Sequence, residues 1–176
     1  MSSFERRKNE INHILASDIR FGKVNPDNDQ IWELTTSKGE PTALALQPTY
    51  GLRVCGLKIF PRFSLNRLPF SDPNDFASFP SIDFFAPNFA SIKYQPIETI
   101  DVNQKVWVPN SQSIIGQITL TNLSHQPVSL GMEWIVQLTP LHTGSQMKPV
   151  QMSVNTILQG HAQNLHPVFF LTGGPH

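Results

Sequence analysis

The chain has 176 residues with 13 basic and 13 acidic side chains, so its formal net charge is zero. A neutral chain lacks the long-range attraction that binders of nucleic acids and of anionic membranes use, which argues against both partners. Its single cysteine cannot form an internal disulfide, and no apolar run approaches the ~20 residues of a membrane-spanning helix. These features predict one soluble, cytoplasmic domain over residues 1–176.

The N-terminal segment, residues 1–17, carries helix signals. Ser2 and Glu5 have the spacing of a capping box. Phe4, Ile11 and Leu15 lie close to one helical stripe. We therefore predict a short amphipathic helix over residues 3–16.

Beyond residue 18 the pattern changes to short strands separated by turn signals. Strands are predicted at residues 20–24, 31–35, 42–47, 52–63, 91–95, 105–108 and 168–171, with a further alternating segment at 150–158 and a connection at 101–104. This spacing predicts an all-β fold, an antiparallel β-sandwich of the immunoglobulin-like or supersandwich type.

The clearest alternation runs from Ser113 to Leu141. Apolar residues share one face of each arm, and turn-forming residues lie between the arms at 122–127. We predict a β-hairpin here, with Trp134 buried and Glu133 facing solvent. The apolar rows of its two arms are Ile114, Gly116, Ile118 and Leu120, and Val128, Leu130, Met132, Trp134, Val136 and Leu138.

Residues 60–96 contain eight of the twelve Phe and six of the fifteen Pro, without steady periodicity. We predict a long ordered loop that either caps its own domain or docks on another domain or a second copy. A sugar-stacking platform is a third reading, weakened because only Tyr94 adds a polar tip to these rings. The candidate docking residues are Phe70, Phe76, Phe79, Phe84, Phe85, Phe89 and Tyr94.

No arrangement of residues indicates catalysis. His161 and His166 match no zinc-binding spacing, and there is neither a nucleophile elbow nor a phosphate-binding glycine loop. The candidates for a catalytic pair of carboxylates, judged by their positions in the sequence, are Asp83, Glu98, Asp101 and Glu133. Nothing in the sequence places two of these carboxylates on the two sides of a glycosidic bond as acid and base. We therefore assign no catalytic residue, cofactor or metal ligand.

Four strings carry a resemblance to a known family: GQITLTNLS at 116–124, QLTP at 137–140, GSQM at 144–147 and NLHPVFFLTGG at 164–174. They resemble the N-terminal β-sandwich of glycoside hydrolases with an α/α-toroid catalytic domain, of the glycogen-debranching or glucosidase type. In that family the general acid and base come from the helical barrel.

The resemblance implies a non-catalytic accessory domain of a carbohydrate-active enzyme. Through the Phe/Pro-rich segment it would pack on an α-helical catalytic domain or on another copy of itself. The alternative is an independent module that binds carbohydrate or protein.

Overall fold

A computed structural model describes residues 11–15, 32–36, 41, 43–46, 56–110, 113–139, 146–152, 156–161 and 166–172, and the structural statements below concern these ranges. Their secondary structure is nearly all β-strand, which confirms the all-β prediction. In the described part, no helix is both long enough and apolar enough to cross a membrane. One 3-10 turn covers Pro73–Asp75.

The strands in these ranges are β1 (Ile11–Leu15), β2 (Trp32–Thr36), β3 (Ala43–Leu46), β4 (Gly56–Leu65), β5 (Leu68–Phe70), β6 (Ser78–Ala86), β7 (Phe89–Ile97), β8 (Ile100–Asn110), β9 (Ser113–Asn122), β10 (Gly131–Thr139), β11 (Gln146–Gln151), β12 (Thr156–His161) and β13 (Val168–Phe169). They form three antiparallel sheets within the described ranges. In the first sheet the order is β1-β2-β3-β4-β10, and β5 pairs with the end of β4. The second sheet is the meander β6-β7-β8-β9, and the third is β11-β12-β13.

The first and second sheets share one hydrophobic core. Strand β8 buries every second residue, so one of its faces belongs to this core and the other does not. Strand β2 shows the same alternation. Buried residues of both sheets form a single cluster, in which the ring of Phe63 from β4 lies 6.1 Å from the ring of Tyr94 from β7.

An aromatic group lies at the centre of this core. Phe63 is fully buried, and its ring contacts those of Phe70, Phe76 and Tyr94. Phe76 follows the 3-10 turn and stacks on Tyr94 with 5.5 Å between ring centroids. The Tyr94 hydroxyl donates a hydrogen bond to Oε1 of the buried Gln104 at 3.0 Å, and burial raises the pKa of Tyr94. Through this bond, each of the two buried polar groups has a hydrogen-bond partner inside the core.

The predicted hairpin over 113–141 is wrong in its pairing. Strand β9 pairs with β8 in the second sheet, whereas β10 pairs with β4 in the first. The connection leaves β9 through a turn in which Asn122 Oδ1 accepts hydrogen bonds from the backbone N–H and the hydroxyl of Ser124. A period-2 pattern defines the faces of a strand but not its neighbour, so the same alternation suits a partner far away in sequence.

The predicted faces of β10 are confirmed. Its residues Met132, Trp134, Val136 and Leu138 pack against the core, and Glu133 is exposed. Trp134, predicted to be buried, is half-buried and lies 6.4 Å from the ring of Phe169 in β13.

The predicted N-terminal helix is wrong over Ile11–Leu15, which forms strand β1. This strand pairs with β2, with Ile11 opposite Thr36 and Leu15 opposite Trp32. Ile11 and Leu15 are four residues apart, a spacing that fits one face of a helix and one face of a strand alike. The ladder with β2 and the complete burial of Leu15 favour the strand. The rest of the predicted helix lies outside the described residues.

The long Phe/Pro-rich loop predicted over 60–96 is also wrong, because these residues hold part of β4, all of β5 and β6, and all but the last residue of β7. Three of the prolines lie where a strand tolerates a missing N–H. Pro80 and Pro96 lie at register shifts of β6 and β7, and Pro69 lies in β5, whose partner within the described residues is β4. Because the apolar side chains of residues 60–96 do not alternate regularly, the sequence pattern did not reveal that these residues form paired strands.

The other strand predictions agree with the structure to different degrees. Strands β2, β3 and β4 lie at the predicted positions 31–35, 42–47 and 52–63. Residues 101–104, predicted as a connection, lie inside β8, and the segment 150–158 is divided between β11 and β12. The prediction for residues 20–24 falls outside the described ranges.

Candidate functional site

A row of large apolar side chains crosses the outer face of the β6-β7-β8-β9 sheet. Phe89 of β7 is opposite Trp107 of β8, which is opposite Ile115 of β9. Phe84 of β6 adjoins the row, with its ring 5.8 Å from that of Phe89. We call Phe84, Phe89, Trp107 and Ile115 the aromatic row.

The aromatic row faces away from the core because of the strand periodicity. Ala90 follows Phe89, and Val106 and Val108 flank Trp107; all three flanking residues are fully buried. Successive side chains of a strand point to opposite faces, so Phe89 and Trp107 lie on the other side of the sheet. Phe84 is 56% exposed and Ile115 is 43% exposed, whereas Phe89 and Trp107 are half-buried. An apolar row is thus open to solvent.

Polar side chains border the aromatic row on the same face. Lys93 Nζ contacts Asp83 Oδ1 at 2.8 Å, and the Ser91 hydroxyl donates to Asn103 Oδ1 at 3.2 Å. The hydrogen bond from Lys93 to Asp83 raises the pKa of Lys93, and the negative charges of Asp83 and Asp101 act in the same direction. An aromatic centre with a polar border has the anatomy of a protein interface, and the exposed Lys105, opposite Ser91 and Gln117, adds a positive charge to that border.

The predicted docking residues fall into two groups. Phe79, Phe84 and Phe85 are exposed, and Phe84 and Phe89 belong to the aromatic row. By contrast, Tyr94 is only 2% exposed and packs in the core together with Phe70 and Phe76. Tyr94 therefore belongs to the interior rather than to the predicted surface, whereas Phe70 and Phe76 are half-buried and pack against the core.

Trp107 and Ile115 were missed because the predicted surface stopped at residue 96. The signal was nevertheless present in the sequence. In the segment Val106-Trp107-Val108, two valines flank a tryptophan, so a strand that buries both valines must point the tryptophan outward. The opposite position of Ile115 could not be read without knowing that β9 pairs with β8.

The candidate carboxylates occupy separate places. Asp83 pairs with Lys93 in the second sheet, whereas Glu133 in the first sheet accepts a hydrogen bond from Arg62 Nε at 3.0 Å. Asp101 acts on the charge of Lys93, and Glu98 lies in the turn between β7 and β8. The described ranges contain no group of three or more His, Cys, Asp or Glu side chains that could hold a metal ion.

A shallow groove of about 310 Å³ lies beside the β4–β5 turn. Its lining is mostly apolar, and Asp75 is the titratable side chain in it. One carboxyl cannot act as both acid and base across a glycosidic bond, so the groove does not supply the chemistry of a glycosidase.

No protein family, curated protein or solved structure matches this chain. The resemblance to glycoside hydrolase N-terminal domains therefore depends on the sequence strings alone, and the function has to be argued from the aromatic row.

Proposed function

We propose that the chain is a non-catalytic β-sandwich domain, immunoglobulin-like or supersandwich in type, that packs on an α-helical catalytic domain of a carbohydrate-active enzyme. The observation that carries this proposal is the aromatic row on the outer face of the second sheet. The common core of the first and second sheets supports the sandwich type. The resemblance to glycoside hydrolases supports the identity of the partner.

The aromatic row suits a helical partner for a simple energetic reason. Burying a Phe side chain completely contributes roughly 1.5–3 kcal/mol, and Phe84 leaves most of that contribution unrealised. A sheet with one open apolar face reaches a stable layer arrangement when helices cover that face. The bordering Lys93 already has Asp83 as its partner, whereas the exposed Lys105 on the same face offers a positive charge to an acidic group of the helical domain.

The proposal is tested in the natural polypeptide that contains these residues. Substituting both Phe84 and Trp107 by Ser should lower the melting temperature of that polypeptide and its glycosidase activity. In the chain of residues 1–176 alone, the same pair of substitutions should cost less than in the natural polypeptide, because in that chain Phe84 is mostly exposed and Trp107 is only half-buried. Leu68→Ser is the matched control, because Leu68 is 72% exposed and lies off the row in β5.

Equal effects of the row and control substitutions on the natural polypeptide would contradict the proposal. A natural polypeptide without a helical domain would contradict it as well. If chains of residues 1–176 instead associate with each other, and the Phe84 and Trp107 substitutions abolish that association, a second copy is the partner and the helical one is excluded.

Carbohydrate binding is a second candidate, favoured by one specific observation. The rings of Phe89 and Trp107 occupy opposite positions on an open face, and Asn103 and Gln117 bring amide groups to the same face. Aromatic rings with neighbouring polar groups suit sugar rings, and Trp107 supplies the polar-tipped aromatic residue that the buried Tyr94 cannot. Glycan-array binding by the chain, lost in Trp107→Ala, would establish this candidate; an array without binding would leave the docking function.

A further inference from the structure

His161, the last residue of β12, meets His166, which lies just before β13, at the edge of the third sheet. In the ladder between β12 and β13, Leu158 is opposite Phe169 and Gln159 is opposite Val168. The next step brings Gly160 to Pro167, with the Gly160 N–H donating to the Pro167 carbonyl at 2.7 Å. One step further, the rings of His161 and His166 lie 4.7 Å apart, and both residues are exposed.

The two rings face each other through equivalent atoms. The Nδ1 atoms of His161 and His166 are 3.0 Å apart. With metal–nitrogen bonds of about 2.0–2.1 Å, two neighbouring ligands are separated by about 2.9 Å at a right angle and by about 3.3 Å at a tetrahedral angle. The observed separation, which is also that of a hydrogen bond between the two rings, lies between these two values, so the spacing of the nitrogens fits contact with one cation.

We infer that His161 and His166 form a two-histidine site for a divalent transition-metal ion, such as Cu²⁺, Ni²⁺ or Zn²⁺. Neutral imidazole nitrogen is a preferred ligand of all three ions. Because the described residues gather no third His, Cys, Asp or Glu ligand here, water or a small anion completes the coordination. Four residues lie between the two histidines in the sequence, a spacing that matches no sequence motif. The strand pairing rather than the spacing brings them together.

The neighbouring residues hold the two strands at this close distance. Gly160 is buried, and a Cβ atom at its position would lie 2.5 Å from Met147 Sδ and 2.6 Å from Pro167 Cγ. Only a residue without a side chain allows the Pro167 ring to approach so closely. Pro167 also fixes its own φ angle next to His166, so the backbone that carries the two histidines is constrained on both sides.

Metal titration of the full chain tests this inference, with CuCl₂, NiCl₂ and ZnCl₂ used separately after treatment with a chelator. At least one metal should bind with one equivalent per chain. Two linked ligands bind more tightly than one by a factor of about 100 or more, so His161→Ala and His166→Ala should each weaken binding at least tenfold. His125→Ala, a change of an exposed histidine in the connection after β9, should leave the affinity unchanged.

The inference fails if none of the three metals binds, or if either substitution weakens binding less than tenfold. A second measurement needs no variant: acylation of histidines by diethyl pyrocarbonate, followed by mass spectrometry. The bound metal should protect His161 and His166 but not His125. Equal acylation with and without metal would also overturn the site. Because the site is remote in the sheet topology from the aromatic row, its failure leaves the proposed function untouched.

Discussion

Replacing Phe63 by Ala tests the common core of the first and second sheets at its centre. Phe63 belongs to β4 of the first sheet, yet its ring lies 6.1 Å from that of Tyr94 in the second. It also contacts Phe70 and Phe76, and none of its surface is exposed. The substitution therefore removes the side chain that joins the two sheets and leaves a cavity between them.

The expected cost follows from this burial. A fully buried Phe truncated to Ala destabilises a protein by about 3–5 kcal/mol, through lost transfer free energy and the cavity. For a chain of 150–250 residues, each kcal/mol corresponds to about 2–4 °C in melting temperature, which gives a decrease of about 6–20 °C. The three aromatic contacts favour the upper half of this range, since each such pair contributes about 0.5–1.5 kcal/mol beyond area burial.

Phe84→Ala is the matched control, because it deletes the same atoms from a ring that is 56% exposed. Chemical denaturation, followed by circular dichroism, gives the free energy of unfolding of both variants. Phe84→Ala should cost less than about 1 kcal/mol in the chain of residues 1–176, as a surface change does. A similar loss in the two variants, or a loss below 1 kcal/mol for Phe63→Ala, would mean that the two sheets do not share this core.

Two further predictions concern Tyr94 and catalysis. Tyr94→Phe should cost about 1–3 kcal/mol at neutral pH, because Gln104 Oε1 loses its buried donor. Since burial raises the pKa of Tyr94 above its usual value near 10, the unfolded chain releases this proton first, and the natural sequence should lose about 1.4 kcal/mol of stability per pH unit above pH 10 through this group. Denaturation at pH 9 to 11 checks whether Tyr94→Phe lacks that loss, and parallel curves would refute the assignment. The chain of residues 1–176 should hydrolyse no α- or β-glucoside, because its ion-paired carboxylates Asp83 and Glu133 lie in different sheets; steady turnover abolished by one Asp or Glu substitution would contradict this.

Local patterns predicted strands well and strand partners poorly. The alternation in β10 assigned Met132 and Val136 to the core face and Glu133 to the solvent face, as the structure shows. The same alternation could not show that β10 pairs with β4, about 70 residues earlier in the chain. Pairing over such a separation depends on which apolar faces fit together, and a single sequence does not contain that information in its periodicity.

Proline and phenylalanine misled the reading of residues 60–96. Register shifts at Pro80 and Pro96 accommodate the missing N–H groups, so β6 and β7 form despite a composition typical of a loop. For the same reason, the core ring of Phe76 and the exposed ring of Phe84 looked equivalent in the sequence. Their different roles depend on the turn at Pro73–Asp75 and on the register of β6, which only the folded chain defines.

Hydroxyl-radical footprinting of Trp107 tests the central claim, that the aromatic row is covered by a helical domain, most directly. Trp107 lies in the row, whereas Trp134 packs against the core and is the internal reference. Trp107 and Trp134 are both half-buried in the chain of residues 1–176, and the oxidation of Trp107 relative to Trp134 should fall at least fivefold from this chain to the natural polypeptide. Equal relative oxidation of Trp107 in the two samples would show that the row remains open, and the docking function would be contradicted.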